Sequence, residues 1–70
     1  MTEKELSSYQ GKNLRIHCTD SSIIEGFCCL FVRAIDNEPK IPAIGIETKN
    51  YERGIIEITL PEIETIEIMR

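Results

Sequence analysis

The feature of this chain that most restricts its fold is a series of short segments in which apolar and polar residues alternate. In residues 14–18, Leu, Ile and Cys alternate with Arg and His, and the pattern returns at 43–48, 55–60 and 63–69. Successive side chains of a strand point to opposite faces, so this period of two predicts strands with one buried face. Of the 70 residues 13 are Ile, whose branched Cβ suits a sheet and crowds a helix.

A longer apolar run, residues 23–35, is interrupted at Glu25, Gly26 and Arg33. A strand that is apolar on both faces must be covered on both sides or bend sharply. Gly26 is the position where a bend or a bulge costs least, because glycine has no side chain to displace. The run therefore predicts one long, bent strand.

The N-terminal segment predicts a short helix. Thr2 and Glu5 have the spacing of a capping box, and the helix is expected over 3–9. The whole chain, 1–70, is then a single domain in which this helix precedes five strands over residues 12–69. Because the connections are short and the second strand is bent, we expect an antiparallel meander that closes into a barrel.

Size, charge and cysteine content restrict the class of protein. A chain of 70 residues buries about 60% of its unfolded surface, so oligomerisation, a metal or disulfides usually add stability. Its 12 acidic and 8 basic residues give a net charge of −4, which disfavours nonspecific binding to nucleic acid. An odd number of cysteines, without a signal peptide or a membrane-spanning run, predicts free thiols in the cytoplasm.

The sequence offers no residue set typical of catalysis. His17 and Cys18 are neighbours on a strand and point to opposite faces, which disfavours a thiol–imidazole pair. The Cys residues lack the C-x-x-C spacing of a zinc site, and there is no Gly-rich phosphate loop. We therefore expect neither an enzyme nor a bound cofactor or metal.

Several turn residues nevertheless resemble those of a known family. Asp20 lies at a predicted hairpin turn, with apolar Ile24 four residues later and Gly26 six residues later. This spacing is similar to the first motif of the Sm-like (LSm) family, and residues 63–68 are similar to its second motif. The resemblance implies a strongly bent, five-stranded antiparallel barrel of the SH3-like or Sm-like type. It also implies a homo-oligomeric ring whose subunits join through the strands 55–60 and 63–69.

The function that this resemblance implies is binding of single-stranded RNA at the pore of the ring. Asp36 and Asn37, in the connection after the second strand, are then the RNA-facing residues. Arg33, Lys40 and Arg53 are the corresponding candidates for phosphate contacts. In the family an Arg-Gly pair lies between the fourth and fifth strands, whereas Arg53 and its following glycine precede the fourth strand here.

The alternative is a small barrel that acts as a protein-interaction or scaffold module and binds no nucleic acid. In that case Asp36 and Asn37 serve only to form a turn, as these residue types commonly do. The acidic net charge and the displaced Arg-Gly pair favour this alternative, whereas the strand layout and the Asp-Asn pair favour RNA binding.

Overall fold

One short helix and five antiparallel strands make up the fold, as the sequence predicts. The computed structural model describes residues 1–38, 40–48 and 54–69. The elements are α1 (Glu3–Ser7), β1 (Asn13–Cys18), β2 (Ile23–Val32), β3 (Ala43–Thr48), β4 (Ile55–Thr59) and β5 (Ile63–Ile68). Among the described residues, the 3₁₀ turns Ala34–Asp36 and Leu60–Glu62 follow β2 and β4.

The strands form one sheet in the order β4-β3-β2-β1-β5. The first four strands form the expected meander, but β5 pairs with β1 and not with β4. Cys18 of β1 and Ile58 of β4 line the same cleft although two strands separate them, so the sheet is strongly bent. Expected closure of the barrel is not found, because no ladder joins β4 to β5 within the described residues.

The concave side of the sheet carries the core that the alternation predicts. Leu14, Ile16 and Cys18 of β1 are buried there, and Ile44 and Ile46 of β3 pack against them. The helix contributes Leu6, which is fully buried. The structure describes no helix long and apolar enough to cross a membrane.

The helix is capped as expected but is shorter than predicted. The Thr2 hydroxyl accepts a hydrogen bond from the backbone N–H of Glu5, at 3.1 Å. The helix ends at Ser7 rather than at residue 9, because the N–H groups of Ser8 and Tyr9 bond to carbonyls three residues back. These tighter bonds end the α-helical pattern.

The long strand β2 differs from the prediction in two ways. Its irregularity lies between Cys28 and Leu30, whereas Gly26 stays in register and faces Thr48 of β3. The strand also ends at Val32 rather than at residue 35. Val32 pairs with Ala43, and the residue before Ala43 is Pro42, which has no N–H to continue the ladder.

Candidate nucleic-acid interface and the sheet edges

Four of the five predicted RNA-contacting residues lie in the connection between β2 and β3, and Arg53 lies outside the described residues. Arg33 Nε donates to Asp36 Oδ2 at 2.9 Å across the 3₁₀ turn. The side chains of Arg33 and Asp36 are 67% and 55% exposed, so this ion pair is solvated and open to a ligand. Lys40 is exposed too. The structure thus brings three predicted residues together and leaves Lys40 farther along the same connection.

Asn37 is half-buried, and its side chain holds the connection in shape. Its Nδ2 donates to the carbonyl of Ile41 at 2.8 Å and to Oε1 of Glu57 at 3.3 Å. Its Oδ1 accepts from the backbone N–H of Glu38 at 3.1 Å. The amide therefore has internal partners on both its donor and its acceptor side. An RNA base that hydrogen-bonds to the Asn37 amide must therefore share or displace these partners.

The connection 33–41 differs from the rest of the chain in charge. It contains two cations and two anions, whereas the whole chain has a net charge of −4. Between Arg33 and Asp36 lies Ile35, whose side chain is 70% exposed. An unpaired base can stack on the plane of an exposed guanidinium such as that of Arg33, and Ile35 adds an apolar contact beside it. The zero net charge of the connection means that a phosphate chain meets less repulsion here than the charge of the whole chain implies.

The two edge strands of the sheet, β4 and β5, each present one side without a partner among the described residues. Ile68 of β5 faces the same side of the sheet as its partner Leu14, which is fully buried, yet Ile68 is 52% exposed. On β4, Ile56 pairs with buried Ile46 and is itself half-buried. Both edges therefore carry core-facing isoleucines that the fold covers incompletely.

A cleft of about 190 Å³ marks the open side of the sheet. Ile56 and Ile58 of β4 form one wall, and Cys18 lies on the opposite side. Asp20 and Glu62 provide carboxylates at its margin. The cleft is therefore apolar inside and acidic at its rim, and it lies where another strand would approach β4.

Both carboxylates at this rim are capping groups of local turns. Asp20 accepts from the hydroxyl and the N–H of Ser22, and these hydrogen bonds lower its pKa. Glu62 accepts from the hydroxyl and the N–H of Thr59, which lower its pKa in the same way. Within the described ranges no three His, Cys, Asp or Glu side chains are grouped as metal ligands.

Comparison with protein-family models, with curated proteins and with solved structures finds no match for this chain. The resemblance to the Sm-like family therefore stays a prediction that rests on the residues quoted above. The observed strand order bears on it in one respect. It leaves as edges β4 and β5, the two strands through which subunits of that family are expected to join.

Proposed function

We propose that this protein is a subunit of a homo-oligomeric ring of the Sm-like type, in which β4 of one copy pairs with β5 of the next. The observation that carries the proposal is that β4 and β5 are the two edges of one bent sheet. A head-to-tail contact between different edges repeats from copy to copy. It closes into a ring when the rotation between successive copies adds up to a full turn. Edge strands that are neither paired nor covered are templates for such strand addition.

The incompletely buried isoleucines give this contact a driving force. Strand addition at β5 covers Ile68, and addition at β4 covers Ile56 and the apolar cleft beside it. Full burial of an exposed isoleucine is worth about 1.5–3 kcal/mol, and because Ile68 is 52% exposed, covering it gains roughly half of that. For a small domain with few fully buried side chains, a gain of this size repeated at each interface favours assembly.

The ligand that we propose for the ring is single-stranded RNA, bound in the cytoplasm at the connections between β2 and β3. Exposed Arg33, Ile35 and Lys40 support this, since they combine cations with a surface for stacking. Ring symmetry repeats the set once per subunit, so a few contacts per copy add up along one strand. Asp36 then orients Arg33, Asn37 fixes the connection, and Arg53 supplies a further phosphate contact.

A second candidate function is a ring that binds proteins and no nucleic acid. The specific observation in its favour is the engagement of Asn37, whose amide bonds to Ile41 and Glu57. The net charge of −4 also favours a protein-binding ring, because the acidic residues of each subunit repel the phosphates of RNA.

Native mass spectrometry of protein purified without nuclease tests assembly and RNA together. We expect a closed assembly of the 8.0 kDa chain in the wild type. Ile68→Lys puts a charge into the edge contact and is expected to release monomers. Ile23→Lys is the matched control, because Ile23 is 57% exposed on an interior strand. A wild-type monomer at micromolar concentration, or equal effects of both variants, would overturn the ring.

Titration with a labelled oligouridylate separates the two candidate functions. We expect binding that weakens steeply with salt and that Arg33→Gln lowers about fivefold, as removal of a phosphate contact does. Arg15→Gln is the control, since Arg15 is bound to Glu25 on another face. A ring without co-purified nucleic acid or oligouridylate binding would exclude RNA and favour the protein scaffold.

A further inference from the structure

A second cleft, of about 310 Å³, lies on the convex face of the sheet, opposite the core. The ladders place its residues side by side, because Asn13 of β1 pairs with Phe27 of β2, and Phe27 pairs with Glu47 of β3. The N–H of Met69, just after β5, donates to the carbonyl of Asn13 at 2.8 Å. Four successive strands of the sheet therefore contribute to one surface.

The floor of this convex cleft is apolar. Phe27 is 41% exposed, and Met69 lies across Asn13 from it, at the other side of the cleft. Gly26, which precedes Phe27 on β2, lines the same cleft without a side chain. A partly exposed aromatic ring and a flexible thioether on opposite sides of one cleft form a surface that accepts an apolar side chain of varied shape.

The rim of the convex cleft is acidic. Glu25 and Glu47 line it, and Glu67 lies in the next row, paired with Arg15 across β1 and β5. Arg15 is the cation of these rows, and its Nε is already bound to Glu25 Oε2 at 2.6 Å. Glu67 Oε1 lies 2.6 Å from His17 Nε2, whereas Glu47 has no such partner among the described contacts. A ligand that complements this surface carries an apolar residue flanked by cations.

We propose that this convex cleft binds a segment of another protein in which an apolar side chain is flanked by Lys or Arg. The apolar side chain packs between Phe27 and Met69, and the flanking cations pair with Glu25 and Glu47. The carboxylates disfavour a phosphate chain at this position. The site lies on the face of the sheet and meets an edge only at Met69, so variants of Phe27 and Glu47 test it apart from the ring and from RNA.

Fluorescence anisotropy with two synthetic peptides tests the site. The probe is a fluorescein-labelled heptapeptide of alternating Lys and Leu, and its counterpart has Glu in place of Lys. We expect the basic peptide to bind and the acidic one to fail. Phe27→Ser should weaken binding about tenfold, as loss of a central aromatic contact does. Glu47→Gln should weaken it about threefold and reduce its salt dependence.

Matched variants show whether binding occurs at this cleft. Ile23→Ser removes another exposed apolar side chain of the same strand, and Glu64→Gln removes an exposed carboxylate of β5. Both are expected to leave the affinity unchanged. If Phe27→Ser fails to fold, Phe27→Leu takes its place in the test. Because leucine is also apolar, this variant should keep most of the affinity for the basic peptide. Amide shifts in an NMR titration should concentrate at Asn13, Gly26, Phe27, Glu47 and Met69.

Four results would overturn the proposal. They are equal binding of the two peptides, no binding at millimolar peptide, equal affinity of the Phe27 and Ile23 variants, and displacement of the basic peptide by oligouridylate. The last would assign the cleft to nucleic acid. Native mass spectra of the same variants keep this test separate from the ring, since Phe27→Ser leaves both edge strands intact.

Discussion

The side-chain amide of Asn37 lies 3.3 Å from the carboxylate of Glu57, and this hydrogen bond joins the connection after β2 to the edge strand β4. The same amide donates to Ile41 at 2.8 Å, within the connection itself. In the proposed ring β4 is an interface strand, so this contact places the candidate RNA-binding segment beside a subunit boundary.

Asn37→Ala is expected to destabilise the fold by about 1 kcal/mol, because the half-buried carbonyl of Ile41 loses its donor. Asn37→Asp should cost more, since a carboxylate then faces both that carbonyl and Glu57. Urea denaturation at neutral pH measures both. The double variant Asn37→Asp, Glu57→Gln is the control, and it should recover part of the loss. If the aspartate variant matched wild type, the contact with Glu57 would be absent in solution.

Gly26→Ala is expected to destabilise the fold by about 1–3 kcal/mol, the usual cost of overpacking. A Cβ at this position would lie 2.4 Å from the carbonyl oxygen of Glu47 and 2.7 Å from Cγ2 of Ile46. Backbone cannot move aside as a side chain tip can, so β2 and β3 must separate. Thermal unfolding followed by circular dichroism measures the loss.

Gly11→Ala is the comparison for that variant. Gly11 has φ of +85° and nothing within 4 Å of a built Cβ, so its cost comes from backbone strain alone, about 1 kcal/mol. If both variants lost the same free energy of unfolding, the close approach of β2 and β3 would not be what excludes a side chain at position 26.

Acid should weaken the turn between β4 and β5. Hydrogen bonds from Thr59 lower the pKa of Glu62 below its ordinary 4.5, so the ionised carboxylate stabilises the folded state. This stabilisation is complete above about pH 4.5, the pKa in the unfolded chain, and is lost as the pH falls through the lower folded value. The urea concentration at the unfolding midpoint, measured between pH 7 and pH 3, reports this loss of stability. Glu62→Gln should show a smaller fall with acid, and an unchanged fall would contradict the cap.

Of the three thiols, that of Cys29 should be alkylated first. Burial raises the pKa of Cys28 above its ordinary 9.0, with a smaller contribution from Cys29, so little thiolate forms at pH 8. Cys18 is buried too, whereas Cys29 is half-buried. Iodoacetamide is therefore expected to label Cys29 first, and peptide mass spectrometry identifies the site. Rapid labelling of Cys28 in folded protein would mean that the core opens on the time scale of the reaction.

The sequence pattern was sufficient to locate the strands. Alternation at Leu14, Ile16 and Cys18 correctly predicted the buried face of β1, because that face is apolar and the other is polar. It could not predict that β4 and β5 leave each other unpaired, since the periods of β4 and β5 are the same whichever strand they join. The expected bent, five-stranded antiparallel sheet is confirmed, and only its closure was wrong, because no β4–β5 ladder joins its two edges within the described residues.

The candidate site was predictable only as a set of residue types. Asp36 and Asn37 mark a turn, and the structure confirms one, but the contact between Asn37 and Glu57 joins residues 20 apart. The cap formed by Thr59 and Glu62 was missed, although its Thr-x-x-Glu spacing is that of Thr2 and Glu5. The convex cleft was not predictable from the sequence, because residues 25–27 of β2 meet Asn13, Glu47 and Met69 only through the pairing of the strands.

The pairing of β1 with β5 has a consequence for synthesis of the chain. Leu14 and Ile68 are partners across this ladder, although 53 residues lie between them in the sequence. Loop closure of that length must precede any contact between the two strands, which slows folding relative to a hairpin. During translation β1 stays on the edge of the nascent sheet until β5 has left the ribosome. We therefore expect the β1–β5 ladder to form late in folding, and this ladder makes β5 the second edge of the finished sheet.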